Sequence, residues 1–163
     1  LPGSPAFDSS QVGRSRIQKL RREIGVVFQD FRLLTDRDVW ENVAFALRVR
    51  GHSGRFLRNR VEDVLERARL THRRHAHPNE LSGGEQQRVS IARAIAGEPR
   101  IVLADEPTGN LDRENAEGVL EIFRQLHAAG TTIVMATHDL QLLDRLPHRR
   151  IQLEDGRLKS RWF

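Results

Sequence analysis

Two short stretches of this sequence hold residue types that could handle a phosphorylated ligand. In Leu81-Ser82-Gly83-Gly84-Glu85-Gln86-Gln87-Arg88 a glycine pair opens a run with apolar residues at helical spacing: Val89, Ile91, Ala92, Ala94 and Ile95. Ser82 is a natural N-cap, and Gly97 and Pro99 mark the stop. A helix start carries free N–H groups and partial positive charge, and glycine lets an anion approach that backbone closely. The second stretch, Ile101 to Glu106, is an apolar run ending in two carboxylates, Asp105 and Glu106. Bounded by turn signals, it reads as a buried parallel strand, and open α/β sheets place ligands at the carboxyl ends of such strands. An anion-binding helix start and an acidic strand end together suggest a nucleotide phosphate and its Mg²⁺.

These groups need elements to position them. Arg14 to Arg22 is a basic segment with Ile17 and Leu20 spaced for a helical turn or two, and Ile24 to Phe28 reads as a buried strand ending at Gln29-Asp30. A helical insertion follows. Asp36 or Asp38 can cap a helix that runs through Arg50, with Val39, Trp40, Val43, Ala44 and Leu47 on one stripe and Trp40 and Phe45 assigned to the core. Gly51 to Gly54 breaks it, and a second helix covers about Phe56 to Ala68. Beyond the acidic strand, Arg113 to Ala129 is a helix with Val119, Leu120 and Phe123 inward. Thr131 to Ala136 is the next buried strand, ending at Thr137-His138-Asp139. Asp139 can cap a helix from Leu140 to Arg145, which Pro147 stops. Arg149 to Phe163 reads as a closing hairpin with its turn at Glu154-Asp155-Gly156, and Leu1 to Gly13 gives no firm element.

LSGGEQQR followed by LADEPTGNLD resembles the ATPase subunit of the ATP-binding cassette (ABC) superfamily. The first piece matches that family's signature sequence. The second matches its Walker B strand, continued by the D-loop Gly109-Asn110-Leu111-Asp112. The ordered set is far more specific than a lone Ser-Gly-Gly, and the likeness extends over nearly the whole chain from about Arg14. It implies an α/β fold of P-loop NTPase (RecA-like) type: a parallel-sheet core, residues 1–30 and 97–163, with an inserted α-helical subdomain, residues 31–96, that carries the signature helix.

The resemblance also implies roles and company. Asp105 holds Mg²⁺, directly or through water, and Glu106 is the general base that polarises the attacking water. Gln29 matches the Q-loop residue, whose amide oxygen serves Mg²⁺ or that water; His138 matches the switch histidine at the γ-phosphate. Ser82, Gly83, Gly84 and Glu85 would close over ATP bound to the opposite subunit, with Asp112 near that interface, so the expected assembly is a homodimer sandwiching ATP. A membrane-embedded partner would dock in the groove beside the Q-loop, with Phe31, Leu33 and Leu34 as contacts. Val27 to Leu34, Asp36-Arg37 and Glu41 to Ala44 resemble the bacterial cell-division subgroup most. That likeness implies an FtsX-type partner and a cytoplasmic place on the inner face of the plasma membrane. ATPase subunits of lipoprotein- or drug-exporting transporters share the signature and D-loop wording; the Gln29-Asp30 pair favours the cell-division subgroup.

Composition narrows the alternatives. The 163 residues carry 27 basic and 22 acidic side chains, a net charge of +5, and only Lys19 and Lys159 are lysine. Without a basic block interleaved with aromatics, this reads as a solvated arginine-rich surface, and no nucleic acid is expected. There is no cysteine, no apolar run near the roughly 20 residues of a membrane span, and no signal peptide, so a membrane role must run through a partner. His72, His75 and His77 lack a carboxylate or thiolate to complete a metal set, and Arg73 and Arg74 repel cations, which favours a connecting loop. A soluble ABC protein of DNA repair or translation is a different class, as is a non-catalytic interaction module. Repair members carry long coiled coils or zinc cysteines and translation members two cassettes, whereas this sequence has no heptads and one signature. It also has no G-x-x-x-x-G-K-[ST] phosphate loop, and it begins with Leu1. It therefore reads as the C-terminal part of such a subunit, cut just after that loop. The expectation is ATPase activity in the intact family member, poor ATP binding and no turnover by this segment alone, and apolar sheet surface left open.

Overall fold

The computed structural model describes residues 13–140, Leu142, Leu146 and 148–162. The opening stretch up to residue 12 and most of the helix expected after Asp139 lie outside them. In chain order the elements are α1 (Arg14–Arg22), β1 (Ile24–Val27), α2 (Val39–Val49), α3 (Gly54–Arg67), α4 (Gly83–Ile95), β2 (Ile101–Asp105), α5 (Arg113–Ala128), β3 (Thr132–Ala136), β4 (Arg150–Glu154) and β5 (Arg157–Trp162).

β1, β2 and β3 form a parallel sheet in that order, each pair joined by a helical crossover as parallel pairing requires. Side chains alternate between faces, so register sorts them. Gly25–Val102–Ile133 and Val27–Ala104–Met135 lie across one face, where they join the hydrophobic core with α4 and α5. α4 rests directly on β1: a methyl group on Gly25 would come within 2.6 Å of the Ala94 carbonyl oxygen. The other face carries the row Val26–Leu103–Val134, exposed by 39%, 38% and 54%. This corrects the expectation of buried strands. Among the described residues burial is one-sided, because the helices that pack on the sheet gather on a single face.

The helical part is built on capped, amphipathic segments. Asp38 caps α2 by accepting from Glu41 N–H at 2.7 Å. Val39, Val43, Ala44 and Leu47 face inward against Leu57, Val61, Val64 and Leu65 of α3. Phe45 does not join them: it is exposed, with the Arg37 guanidinium 5.3 Å from its ring centroid. It lies off the 39–43–47 stripe, and the inward place goes to Asn42 instead. That buried amide donates to the carbonyls of Leu34, Arg37 and Asp38 and accepts from Leu34 N–H at 2.8 Å. Trp40 is half-buried against the core.

The last carbonyls of α4 and the residues after it are satisfied by arginines of the neighbouring helices, as orphan helix-end groups require. Arg50 donates to Gly97 O at 2.5 Å, and Arg60 to Ala96 O at 2.9 Å and Ile95 O at 3.3 Å. β4 and β5 pair antiparallel as a separate hairpin, with Asp155 and Gly156 in the left-handed region that a tight turn needs.

Candidate functional site

Parallel pairing of β2 with β3 brings their carboxyl ends together, and the candidate chemistry sits there. Asp105 closes β2 opposite Ala136, with its side chain exposed. The chain then turns sharply: Glu106 adopts φ 44°, uncommon for a residue with a side chain, while its N–H donates to Ala136 O at 2.9 Å. The turn aims the Glu106 carboxylate at the end of β3. It accepts from the Thr137 hydroxyl at 3.1 Å, from His138 N–H at 2.8 Å, and lies 2.6 Å from His138 Nδ1. With its proton on Nδ1, the imidazole donates to this carboxylate. The Glu106 side chain is 16% exposed and that of His138 83%, so the pair presents a fixed base under a solvent-facing imidazole. Such a carboxylate has lone pairs left to orient water and accept its proton.

The signature stretch behaves as a helix start. Ser82 Oγ accepts from Glu85 N–H at 3.2 Å, and the Glu85 carboxylate accepts from Ser82 N–H at 2.9 Å, a reciprocal capping box. Arg73 also donates to Glu85, at 2.9 Å. Burial raises the pKa of Glu85, but the bonds from Ser82 and Arg73 outweigh it and hold the carboxyl below its ordinary range. Ser82 and Gly83 are exposed, whereas Gly84 is buried: a methyl group there would meet Asn115 Oδ1 at 2.2 Å. Openness to a ligand therefore belongs to Ser82 and Gly83, while Gly84 permits contact with α5. Asp112 caps α5 and accepts from the backbone and side-chain amides of the same Asn115, both at 2.8 Å. These bonds lower its pKa.

Gln29 is exposed, and its Nε2 would lie 3.5 Å from a methyl group on Gly109, as would Glu106 Cβ. The fold thus brings Gln29, Glu106, Gly109 and His138 into one neighbourhood. Among the described residues no hydrogen bond or ion pair joins Ser82 or Gly83 to that group. The link is indirect: Gln87 on α4 donates to Pro107 O at 2.8 Å, one residue past Glu106. His72 and His75 approach Glu85 and Asp38 at 4.0 and 3.5 Å.

Sequence reasoning did not assign Thr137, Asn115, Gln87, Asn42 or Arg93. All but Asn42 act through a contact distant in sequence, and Asn42 acts on the loop four to eight residues before it. Only the amide repeats in EQQ and the hydroxyl beside His138 offered a hint.

Comparison with known proteins follows the same lines. The family described as ABC transporter matches residues 2–109. The chain is 45% identical over 152 residues to the Cell division ATP-binding protein FtsE of Streptococcus pneumoniae serotype 2, covering 93% of this chain and 66% of that protein. It is 46% identical over 151 residues to the protein of that name from Escherichia coli K12, covering 93% and 68%. For Bacillus subtilis 168 the values are 47% over 149 residues, 91% and 65%. The chain thus spans about two thirds of the length of the curated relatives it matches. Its fold matches the dimeric post-hydrolysis structure of the ATP-binding cassette MJ0796 bound to ADP and Pi, with a TM-score of 0.82 and 35% identity, covering 98% of this chain and 71% of that one. A second dimeric structure of MJ0796, described as a bacterial ABC transporter cassette, matches at 0.82 and 37%, covering 94% and 68%. The parallel sheet with Glu106 and His138 at its carboxyl end, the capped signature helix and these matches agree: the chain belongs to the ABC transporter family.

Proposed function

We propose that this chain forms the catalytic and signature-bearing part of an ATP-hydrolysing subunit of the FtsE type. The observation that carries the reading is Glu106, turned by its left-handed backbone onto Thr137 and His138 at the carboxyl end of the parallel sheet. Glu106 orients and deprotonates the water that attacks the γ-phosphate, while His138 and Gln29 line the same space. The donor set suits Mg²⁺. Asp105 is exposed at the strand end, and no three acidic or histidine side chains among the described residues gather at one point. Mg²⁺ takes few protein ligands and fills its shell with phosphate oxygens and water, so Asp105 and Gln29 would supply the protein share. The ion would neutralise charge on the phosphates.

The exposed Ser82 and Gly83, beside Asp112 at the head of α5, support a second nucleotide contact made across a homodimer. That both MJ0796 structures are described as dimeric supports the homodimer itself. Within this reading, residues 1–30 and 97–163 are the α/β core, and residues 31–96 a helical subdomain in which α2, α3 and α4 pack together. An FtsX-type membrane partner docks beside the Q-loop; of the expected contacts Phe31, Leu33 and Leu34, Leu34 lines an open groove with Gln18, Arg21, Phe45 and Val49, while Leu33 packs against the hydrophobic core. No helix among the described residues is long and apolar enough to cross a membrane, so attachment to the inner face of the plasma membrane runs through that partner. The likeness to MJ0796, whose structure is described as a bacterial ABC transporter cassette, supports a transporter ATPase as the second reading.

The test is MgATP hydrolysis by the full-length subunit. Glu106→Gln should lower kcat by about 10²-fold or more, the usual range for loss of a general base. Unchanged turnover in that variant would remove Glu106 from the chemistry.

A further inference from the structure

Two consecutive residues just past Gln29, Phe31 and Arg32, adopt φ 58° and 48°. Left-handed backbone is rare for residues with side chains, and two in a row persist only where surroundings hold them. Local contacts hold part of the turn: Arg32 N–H donates to Asp30 O, its Nε to Asp30 Oδ1 at 3.1 Å, and its guanidinium lies 4.0 Å from the Phe28 ring centroid. Asn42 pins the far end at Leu34. The remaining restraint comes from the signature helix. Arg93 of α4 donates through one guanidinium nitrogen to Arg32 O at 2.5 Å and through the other to Phe31 O at 2.9 Å.

Arg93 is half-buried and forms no ion pair with a carboxylate among the described residues. Burial lowers its pKa. Partial desolvation of a cation with only carbonyls for company is costly. A planar fork can serve two neighbouring carbonyls at once; an ammonium cannot reproduce that geometry.

We propose that Arg93 is a positioning residue for Gln29: its forked donation to Phe31 and Arg32 sets the left-handed turn that holds Gln29 beside Gly109. This rests on the ATPase reading above for its catalytic meaning, though not for its structural half. The consequence is a direct tie between the helix that starts at Ser82-Gly83 and the turn that carries Gln29. α4 already meets the Glu106 strand end through Gln87, so one helix touches both.

The test uses Arg93→Lys, which keeps the charge and loses the fork, and Arg93→Ala. In ¹⁵N-labelled chain, the side-chain amide of Gln29 and the backbone amides of Asp30, Arg32 and Gly109 should shift in both variants. Exchange should quicken at residues 29–34 while the amides of α3 and α4 stay protected. In the whole subunit, kcat should fall about 10-fold or more, with any rise in KM for MgATP smaller than that fall, as expected when a group beside the γ-phosphate and its Mg²⁺ is misplaced. Unmoved Gln29 and Gly109 resonances overturn the proposal. So does loss of protection throughout α4, which would make Arg93 a general packing residue, and so does a local shift with kcat intact. If the wild-type subunit hydrolyses no ATP, the ATPase reading falls, and the resonance and exchange data still decide whether Arg93 sets the turn.

Discussion

Gly83 and Gly84 are neighbours in sequence and answer to different surroundings. A side chain at Gly83 would meet nothing nearer than Leu111 Cδ2 at 3.9 Å, whereas one at Gly84 would collide with Asn115. Gly84→Ala should therefore destabilise by about 1–3 kcal/mol through overpacking, while Gly83→Ala stays within about 0.5 kcal/mol; urea midpoints of the two variants distinguish them. The carboxylates near these glycines carry a pH dependence whose sign is fixed. Glu85 and Asp112 have folded pKa values below their unfolded ones. The stability they contribute is full above the unfolded values of about 4 and is lost as pH falls through the lower folded values. Glu85→Gln and Asp112→Asn should flatten the acid limb of the stability profile and leave its neutral-to-basic limb unchanged in shape. An acid limb as steep as wild type would mean other groups govern it.

Among the elements, α4 has the most to do. Its start is capped by Ser82, its middle reaches Pro107 through Gln87, and its end is held by Arg50 and Arg60. Gly97 leaves room for Arg50: a methyl group there would lie 1.8 Å from the guanidinium. Gly97→Ala should displace that side chain and speed exchange at the last turn of α4. Asn42 is the matching polar fixture of α2. Its removal in Asn42→Ala strands the Leu34 N–H and C=O, at a cost on the order of 3 kcal/mol, read as a lower thermal midpoint. A shift near zero would show that water replaces the amide.

For the molecule as a whole, the open sheet face is the main liability. Val26, Leu103 and Val134 form a continuous exposed apolar row across three strands. Contiguous apolar surface of this kind binds other apolar surface, including that of neighbouring copies. Val134→Lys should reduce binding of an apolar dye and aggregation on heating without altering the circular dichroism spectrum, because no core residue is touched. Dye binding equal to wild type would place the apolar surface elsewhere.

Legible in the sequence were the order and type of the elements, the cap at Ser82, a cap for α2 at Asp36 or Asp38, and the candidate residues at the strand ends; the cap that Asp112 places on α5 came only with the structure. Each legible feature is local: a period, a short polar side chain before an apolar run, or a carboxylate after one. What each carboxylate and amide touches was decided by tertiary structure. Glu106 meets His138 because parallel pairing of β2 with β3 aligns strand ends separated by a whole helix. Gly84 is closed and Gly83 open because α5 happens to start where Asn115 covers one of them. Phe45 points outward and Asn42 inward because backbone groups at Leu34 need an amide partner more than the core needs another ring. Arg93 reads as a surface arginine in sequence; two left-handed carbonyls, 61 and 62 residues away along the chain, turn it into a fixture. Local pattern records what a segment prefers, and only the packed chain records which distant group needed satisfying.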